Sequence, residues 1–356
     1  MRSARLYGIG DIRLAEEPIP APGPDQSLIK VTAVGICGSD LHWYTDGGIG
    51  DAQLASPLVI GHEFAGVIEG GERHGQRVAV DPAIPCGACE PCLEGNRNLC
   101  LFMHFSGHSD TDGALREFLS WPTHLLHPLP DALSDADGAM LEPLGVALQA
   151  LDLSHLRLGS TVAVVGCGPI GLCVIQLARA AGATTIIAAD PLAHRREAAL
   201  RYGADVALSA DPAQFAAGLA EATAGRGVDV VFEVAGEDLA VALAITAARP
   251  GAKVLLVGIP GDDVTTFSAS AARRKGLSLI MVRRMNEVYP RAIALVERGR
   301  VDITTIVTGR YPLSRVEQAF RSAQAREGLK VILEADTPDD VLGVWGDVLG
   351  RDAGPA

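Results

Sequence analysis

Val164-Val165-Gly166-Cys167-Gly168-Pro169-Ile170-Gly171 is a G-x-G-x-x-G turn between a strand-like run, residues 161–165, and a helical run, residues 170–181. A glycine turn so placed lets the backbone approach a pyrophosphate, while the following helix offers N–H donors and the positive end of its dipole. Nineteen residues beyond Gly171, at the end of the next strand-like run (185–189), stands Asp190. A carboxylate there accepts both ribose hydroxyls of NAD and repels a 2′-phosphate. Pro191 gives Asp190 a second reading, as the cap of the helix that follows, and both readings can hold at once.

Outward from this unit the alternation continues: helical 192–202, strand 205–208, helical around 215–224, strand 228–233, helical 239–248, then strands 253–257 and 277–282. Six strands with helical crossovers predict an α/β, doubly wound parallel sheet. No residue between Arg157 and Arg179 is charged. Gly166, Gly168, Pro169 and Gly171 interrupt that stretch, so it reads as a buried strand, turn and helix rather than a membrane span. Before Pro143, short β-like runs (29–34, 77–80) are separated by segments rich in Gly, Pro, His and Cys. Beyond Arg283 the pattern changes again, with helices expected at 290–298 and 314–325 and a strand at 330–333 that rejoins the first half. The expected domains are therefore 1–144 completed by 283–336, and 145–282, with 337–356 as a weakly ordered or loosely docked tail.

The chain has 356 residues, 48% of them hydrophobic and 21% charged, which suits a globular protein of about two domains. Lys and Arg number 30 against 43 Asp and Glu, a net charge of −13 that disfavours nucleic acid or an anionic membrane as a standing partner. Met1-Arg2-Ser3-Ala4-Arg5-Leu6-Tyr7 is not followed by an apolar run, so it reads as neither a signal peptide nor an anchor. With no export signal, seven cysteines point to metal ligation and the cytoplasm rather than to disulfides.

Four of those cysteines form Cys86-Gly-Ala-Cys89-Glu-Pro-Cys92 with Cys100 eight residues on. Four thiolates in one loop suit a closed tetrahedral zinc site with no open position, hence a structural one. A second constellation, Cys37-Gly38-Ser39-Asp40-Leu41-His42, then Gly61-His62-Glu63, then Leu141-Glu142-Pro143, supplies one thiolate, one imidazole and two carboxylates. That mixture suits a zinc that keeps a position open for water or substrate, the requirement for Lewis-acid chemistry. Glu142 before Pro143 could equally begin a helix. Cys167 and Cys173 read as apolar packing. Trp43 and Tyr44 either line the cleft or pack in the core.

These segments, together with Asp46-Gly47-Gly48-Ile49-Gly50 and Pro57-Leu58-Val59-Ile60, resemble the zinc-containing medium-chain dehydrogenases over residues 1–335, and most of all the sorbitol (polyol) and L-idonate 5-dehydrogenases. The resemblance implies a GroES-like catalytic domain interrupted by a Rossmann domain, usually as a homodimer or homotetramer. It implies one catalytic zinc held by Cys37, His62 and Glu63, with Glu142 either a fourth ligand or the holder of the zinc-bound water. It places Asp40 behind the ligand histidine, and Ser39 and His42 in a proton relay. Val282-Arg283-Arg284-Met285-Asn286 aligns with a Phe-Arg-Tyr-x-Asn stretch, giving Arg283 a substrate-hydroxyl role, while Arg284 and Val282 depart from the two aromatics and imply a pocket for another or a more anionic substrate, the alternative being a solvated basic face. The implied activity is NAD-dependent oxidation of a secondary alcohol of a polyol or sugar acid to a ketone. L-threonine 3-dehydrogenase, which usually has Thr in place of Ser39, and aminocyclitol dehydrogenases are the alternatives, as is a non-catalytic dinucleotide sensor.

Overall fold

Thr161–Val165 lies third in a six-stranded parallel sheet whose order is Val206–Leu208, Thr185–Ala189, Thr161–Val165, Val228–Glu233, Ala248–Leu256 and Ser278–Met281. In chain order this is 3-2-1-4-5-6, the doubly wound arrangement, with the strand order reversing at the glycine turn. Val162 to Val165 are all buried, because helices cover both faces of the sheet and remove any alternation of polar and apolar residues. The coordinates are a computed structural model that describes residues 1–337 and 340. Most of the expected tail, 337–356, therefore lies outside the described residues.

The second sheet has seven strands. Its order is Leu126–Pro128, Arg77–Val80, Glu63–Glu69, Gln26–Gly35, Lys330–Glu334 and Val307–Pro312, with Phe118–Pro122 also pairing to Gln26–Gly35. Lys330–Glu334 runs antiparallel to Gln26–Gly35, so the chain returns after the parallel sheet to complete the sheet it began. A three-stranded sheet of Asp11–Glu16, Arg2–Gly8 and Leu58–Val59 flanks it.

Glu142 and Pro143 do not begin a helix. They sit inside Asp135–Ser154, a 20-residue helix opened by Ser134, whose hydroxyl accepts the Asp137 N–H while the Asp137 carboxylate accepts the Ser134 N–H. The helix packs on Gln26–Gly35 and Glu63–Glu69 and, on its other side, on helix Pro169–Ala180. Residues 144 and 145 both lie within it, so one continuous, largely buried helix joins the two sheets and fixes the cleft between them.

Candidate active site

The cleft has a volume of about 770 Å³. Cys37, Ser39, His42 and Glu63 line one part of it, and Gly166, Gly168, Gly171 and Asp190 the other. Sequence segments separated by more than a hundred residues thus share one cavity at the carboxyl ends of the parallel strands, where ligands of such sheets bind.

At the glycine turn, each glycine answers a different need. Gly166 has φ +102°, in the left-handed region. A Cβ on Gly171 would overlap the carbonyl oxygen of Gly166, so helix Pro169–Ala180 can approach the strand only without a side chain there. A Cβ on Gly168 would meet nothing closer than Arg195 Nη1 at 3.8 Å, which leaves this N-cap open toward the cleft. The buried Asp190 carboxylate accepts the N–H of Cys167 (2.8 Å) on one oxygen and of Leu192 (2.9 Å) on the other. The helix after it starts at Ala193 rather than Pro191, so Asp190 ties the turn to the next loop and retains lone pairs toward the cleft. Arg195, five residues on, lines the same cavity and was not singled out from sequence, because one arginine in an Arg-rich helix carries no spacing signal. Cys167 and Cys173 are fully buried, and burial pushes both thiols up to about 12, the behaviour of packing residues.

At the other end, donor atoms of Cys37, His62 and Glu63 lie within 4.8 Å of one another. Cys37 is the N-cap of helix Gly38–Asp46, and its N–H donates to Asp40 Oδ2 at 2.9 Å. Asp40 Oδ1 accepts the Gly61 N–H at 3.1 Å and lies 3.4 Å from His62 Nδ1, which fixes the ring and leaves Nε2 for the cleft side. Burial opposes protonation of His62, Asp40 and Cys37 favour it, and the net direction is well upward. A field that draws a proton onto a buried imidazole draws a cation equally well, so the donor set fits zinc. Glu142, buried in its helix, is not among the three converging donors, and burial raises its carboxyl to about 7.

Glu63 has a partner that sequence reading missed: the ammonium of Lys330, from the returning strand, pairs with its Oε2, both side chains being at most 3% exposed. Gly35 makes room, since a Cβ there would overlap Glu63 Oε2. Lys330 had been visible only as the polar start of an apolar strand. Ser39 Oγ lies 3.4 Å from His62 Nε2, and His42 Nδ1 is 2.8 Å from Asp46 Oδ2 on the cleft wall. Trp43 is in the core and meets the His108 ring edge-on, while Tyr44 packs on Phe320. Phe105, also unanticipated, packs on His62 with ring centroids 5.3 Å apart. Arg283 is exposed, whereas the Arg284 guanidinium stacks on Phe105 at 3.9 Å.

Cys86, Cys89, Cys92 and Cys100 form the second convergent group, again within 4.8 Å. Backbone N–H groups of Cys86, Cys89 and Phe102 donate to the sulfurs of Cys100 and Cys86. Backbone donors from Leu101 and Cys92 bring the Cys89 thiol down to about 6. Burial and the neighbouring Cys89 push the Cys92 thiol the other way, up to about 12; it is the convergence of four sulfurs that fits a closed zinc site.

Residues 23–131 match the alcohol dehydrogenase GroES-like domain, and residues 169–298 the zinc-binding dehydrogenase family. The sorbitol dehydrogenase of Bacillus subtilis is 35% identical over 341 residues, spanning 94% of this chain and 97% of that protein. The chain belongs to the zinc-binding dehydrogenases. L-idonate 5-dehydrogenase from Escherichia coli superposes with a TM-score of 0.85 at 28% identity, covering 94% of this chain and 97% of the other. A zinc-binding dehydrogenase from Sinorhizobium meliloti, solved bound to NADP, does so with a TM-score of 0.85 at 32% identity, covering 94% and 98%. This zinc-binding dehydrogenase is thus an oxidoreductase acting on a CH–OH group, with zinc and a nicotinamide dinucleotide as its cofactors. Among its described residues no helix is long and apolar enough to cross a membrane.

Proposed function

We propose that this dehydrogenase oxidises a secondary alcohol of a polyol or sugar acid to a ketone, with NAD as the hydride acceptor. The observation that carries the reading is the single cleft that joins the Cys37, Ser39, His42 and Glu63 end to the Gly166–Gly171 and Asp190 end. The sorbitol dehydrogenase and L-idonate 5-dehydrogenase relatives support the substrate class. Residues 1–144 with 283–336 form the catalytic half in this reading, and 145–282 the cofactor half. Seven free cysteines suit a reducing compartment, the cytoplasm. The outer edge of strand Ser278–Met281, with Met281 exposed, suits a homo-oligomer.

Zinc held by Cys37, His62 and Glu63 would supply Lewis acidity at the substrate hydroxyl, and NAD over the glycine turn would accept the hydride. The chain's own residues do the rest. Asp40 holds His62 in one orientation through Nδ1. Ser39 Oγ, beside His62 Nε2, takes up the proton released from the alcohol, and His42 passes it outward with Asp46 orienting its Nδ1. Asp190 receives the adenosine ribose. Lys330 balances the charge of Glu63 within the sheet.

Metal analysis combined with an NADH fluorescence titration tests the assignment. Wild type should carry two zincs per chain and bind NADH. Cys37→Ser and His62→Ala should each lose one zinc and nearly all turnover while NADH binding persists. Retention of both zincs and of turnover in these variants would overturn the ligand assignment.

A further inference from the structure

The segment 283–287 is built in a way its sequence does not announce. Arg284 and Glu287 both hold left-handed backbone, φ +52°, which costs a non-glycine residue energy and persists only where surrounding contacts enforce it. Those contacts come from the four-cysteine lobe, far away in sequence. Asn98 Nδ2 donates to the Arg283 carbonyl at 2.9 Å, Asn286 Nδ2 donates to the Gly95 carbonyl at 2.8 Å, and Arg97 pairs with Glu287 at 2.6 Å.

The side chain that this clamp presents is Arg284. Its guanidinium carbon sits 3.9 Å from the centroid of Phe105, whose ring in turn packs at 5.3 Å on His62, so only one aromatic ring separates it from the converging donors. Among the described residues no hydrogen bond or ion pair reaches this guanidinium, and its Nη1 is buried without a partner. Burial, reinforced by Arg283, lowers it to about 10, with Glu142 and Asp81 acting in the opposite sense. The same two arginines and His62, after burial, hold the His108 imidazole below its ordinary value. Arg284 thus lies in the field of Arg283 on one side and of Glu142 and Asp81 on the other, and makes a hydrogen bond with neither carboxylate. A half-buried guanidinium, stacked on a ring and lacking an acceptor, is matched by an anion that offers two oxygens.

We infer that Arg284, held in place by the Asn98 and Asn286 clamp, recognises the anionic end, carboxylate or phosphate, of a polyhydroxylated substrate whose hydroxyl reacts at the Cys37–His62–Glu63 group. The inference rests on the polyol or sugar-acid reading above and narrows it. Asn98 and Asn286 are positioning residues. Their amide groups donate to backbone carbonyls, and they make the cysteine lobe a contributor to substrate affinity as well as to folding.

The test compares kcat/KM for three compounds of one carbon skeleton, the neutral polyol, its aldonate and its terminal phosphate, in wild type, Arg284→Met and Asn98→Ala. Wild type should favour one anionic compound over the polyol, and which of the two identifies the anion. Arg284→Met should lower that constant about 10- to 150-fold, the range for a lost charge-assisted hydrogen bond, and the polyol constant far less. Asn98→Ala should raise KM for the anionic compound with kcat and zinc content retained. Equal changes for charged and neutral substrates in Arg284→Met, or a wild type that prefers the polyol, would overturn the anion assignment while leaving the polyol reading intact. Failure of wild type to oxidise any of the three, with zinc and NADH bound, would overturn the polyol reading itself and this inference with it.

Discussion

Lys330→Met leaves the Glu63 carboxylate buried with its nearest cation gone, and the cost can be worked from the burial of the pair. Both side chains are at most 3% exposed, so neither charge has water to fall back on. Burial alone would lower the Lys330 ammonium, yet Glu63 and Cys37 raise it above its ordinary value, the mark of a cation stabilised by its neighbours. Breaking a buried ion pair by removing one partner typically costs about 3–5 kcal/mol. Unfolding entropy of about 2.1 cal/mol/K per residue makes the slope for a chain of this length about 0.7 kcal/mol per degree, so Tm should fall by about 4–7 °C. Methionine keeps the length and apolar stem of lysine, which limits the packing contribution.

The assay is differential scanning fluorimetry of chelator-treated and zinc-saturated protein, wild type beside variant. Zinc at Cys37, His62 and Glu63 supplies the positive charge that Lys330 no longer does, so the gap in Tm should shrink by at least half on saturation. A variant within about 1 °C of wild type without metal, or a gap unchanged by zinc, would refute the view that Lys330 compensates Glu63.

Three further outcomes follow from the geometry. Asp190→Ala should raise KM for NAD and shift the NADP-to-NAD ratio of kcat/KM by at least about 10-fold, since it removes both the ribose acceptor and the charge facing a 2′-phosphate; initial rates with the two cofactors check this. Gly171→Ala should cost about 1–3 kcal/mol and most of the NADH affinity, read by urea melts and fluorescence titration, because the added methyl overlaps the Gly166 carbonyl and must push the turn open. His127 stacks on Tyr289, and burial with Arg73 lowers its imidazole from 6.5 to about 4, so acidification through that window protonates it only at the expense of the fold. Its stabilisation is complete above the unfolded value and is lost as pH falls toward the folded one. That amounts to about 1–2 kcal/mol at about pH 5 once partial exposure is allowed for, and His127→Gln should flatten this part of the pH profile of urea midpoints.

The parallel sheet was legible because buried central strands flanked by helices leave unbroken apolar runs, and the glycine turn names its own neighbours. The limits were set where tertiary contacts override local signals. Strand Ala248–Leu256 begins five residues before the expected 253, since Ala248 pairs with Val228 across an irregularity that sequence does not mark. Helix Asp135–Ser154 was hidden by Pro143 in its interior, tolerated there by burial against two sheets. At the site, the four clustered cysteines declared themselves by residue type and spacing, whereas Cys37 and His62, single residues far apart in sequence, became ligands only through the family resemblance. Lys330, Phe105 and Arg195 did not, because each acts through a partner distant in sequence and belongs to a residue type common elsewhere. Arg284 was legible as a departure from an aromatic that turns the pocket toward another or a more anionic substrate; its stacking on Phe105 and its clamp from Asn98 exist only in three dimensions.

The most direct measurement is NADH absorbance during incubation of the zinc-loaded protein with NAD and a panel of sorbitol, other polyols, aldonates, L-threonine and an aminocyclitol. NADH should form with a polyol or aldonate, with much less reduction when NADP replaces NAD, and none with Cys37→Ser. NADH formed only from threonine or the aminocyclitol, or at an undiminished rate in Cys37→Ser, would contradict the proposed function.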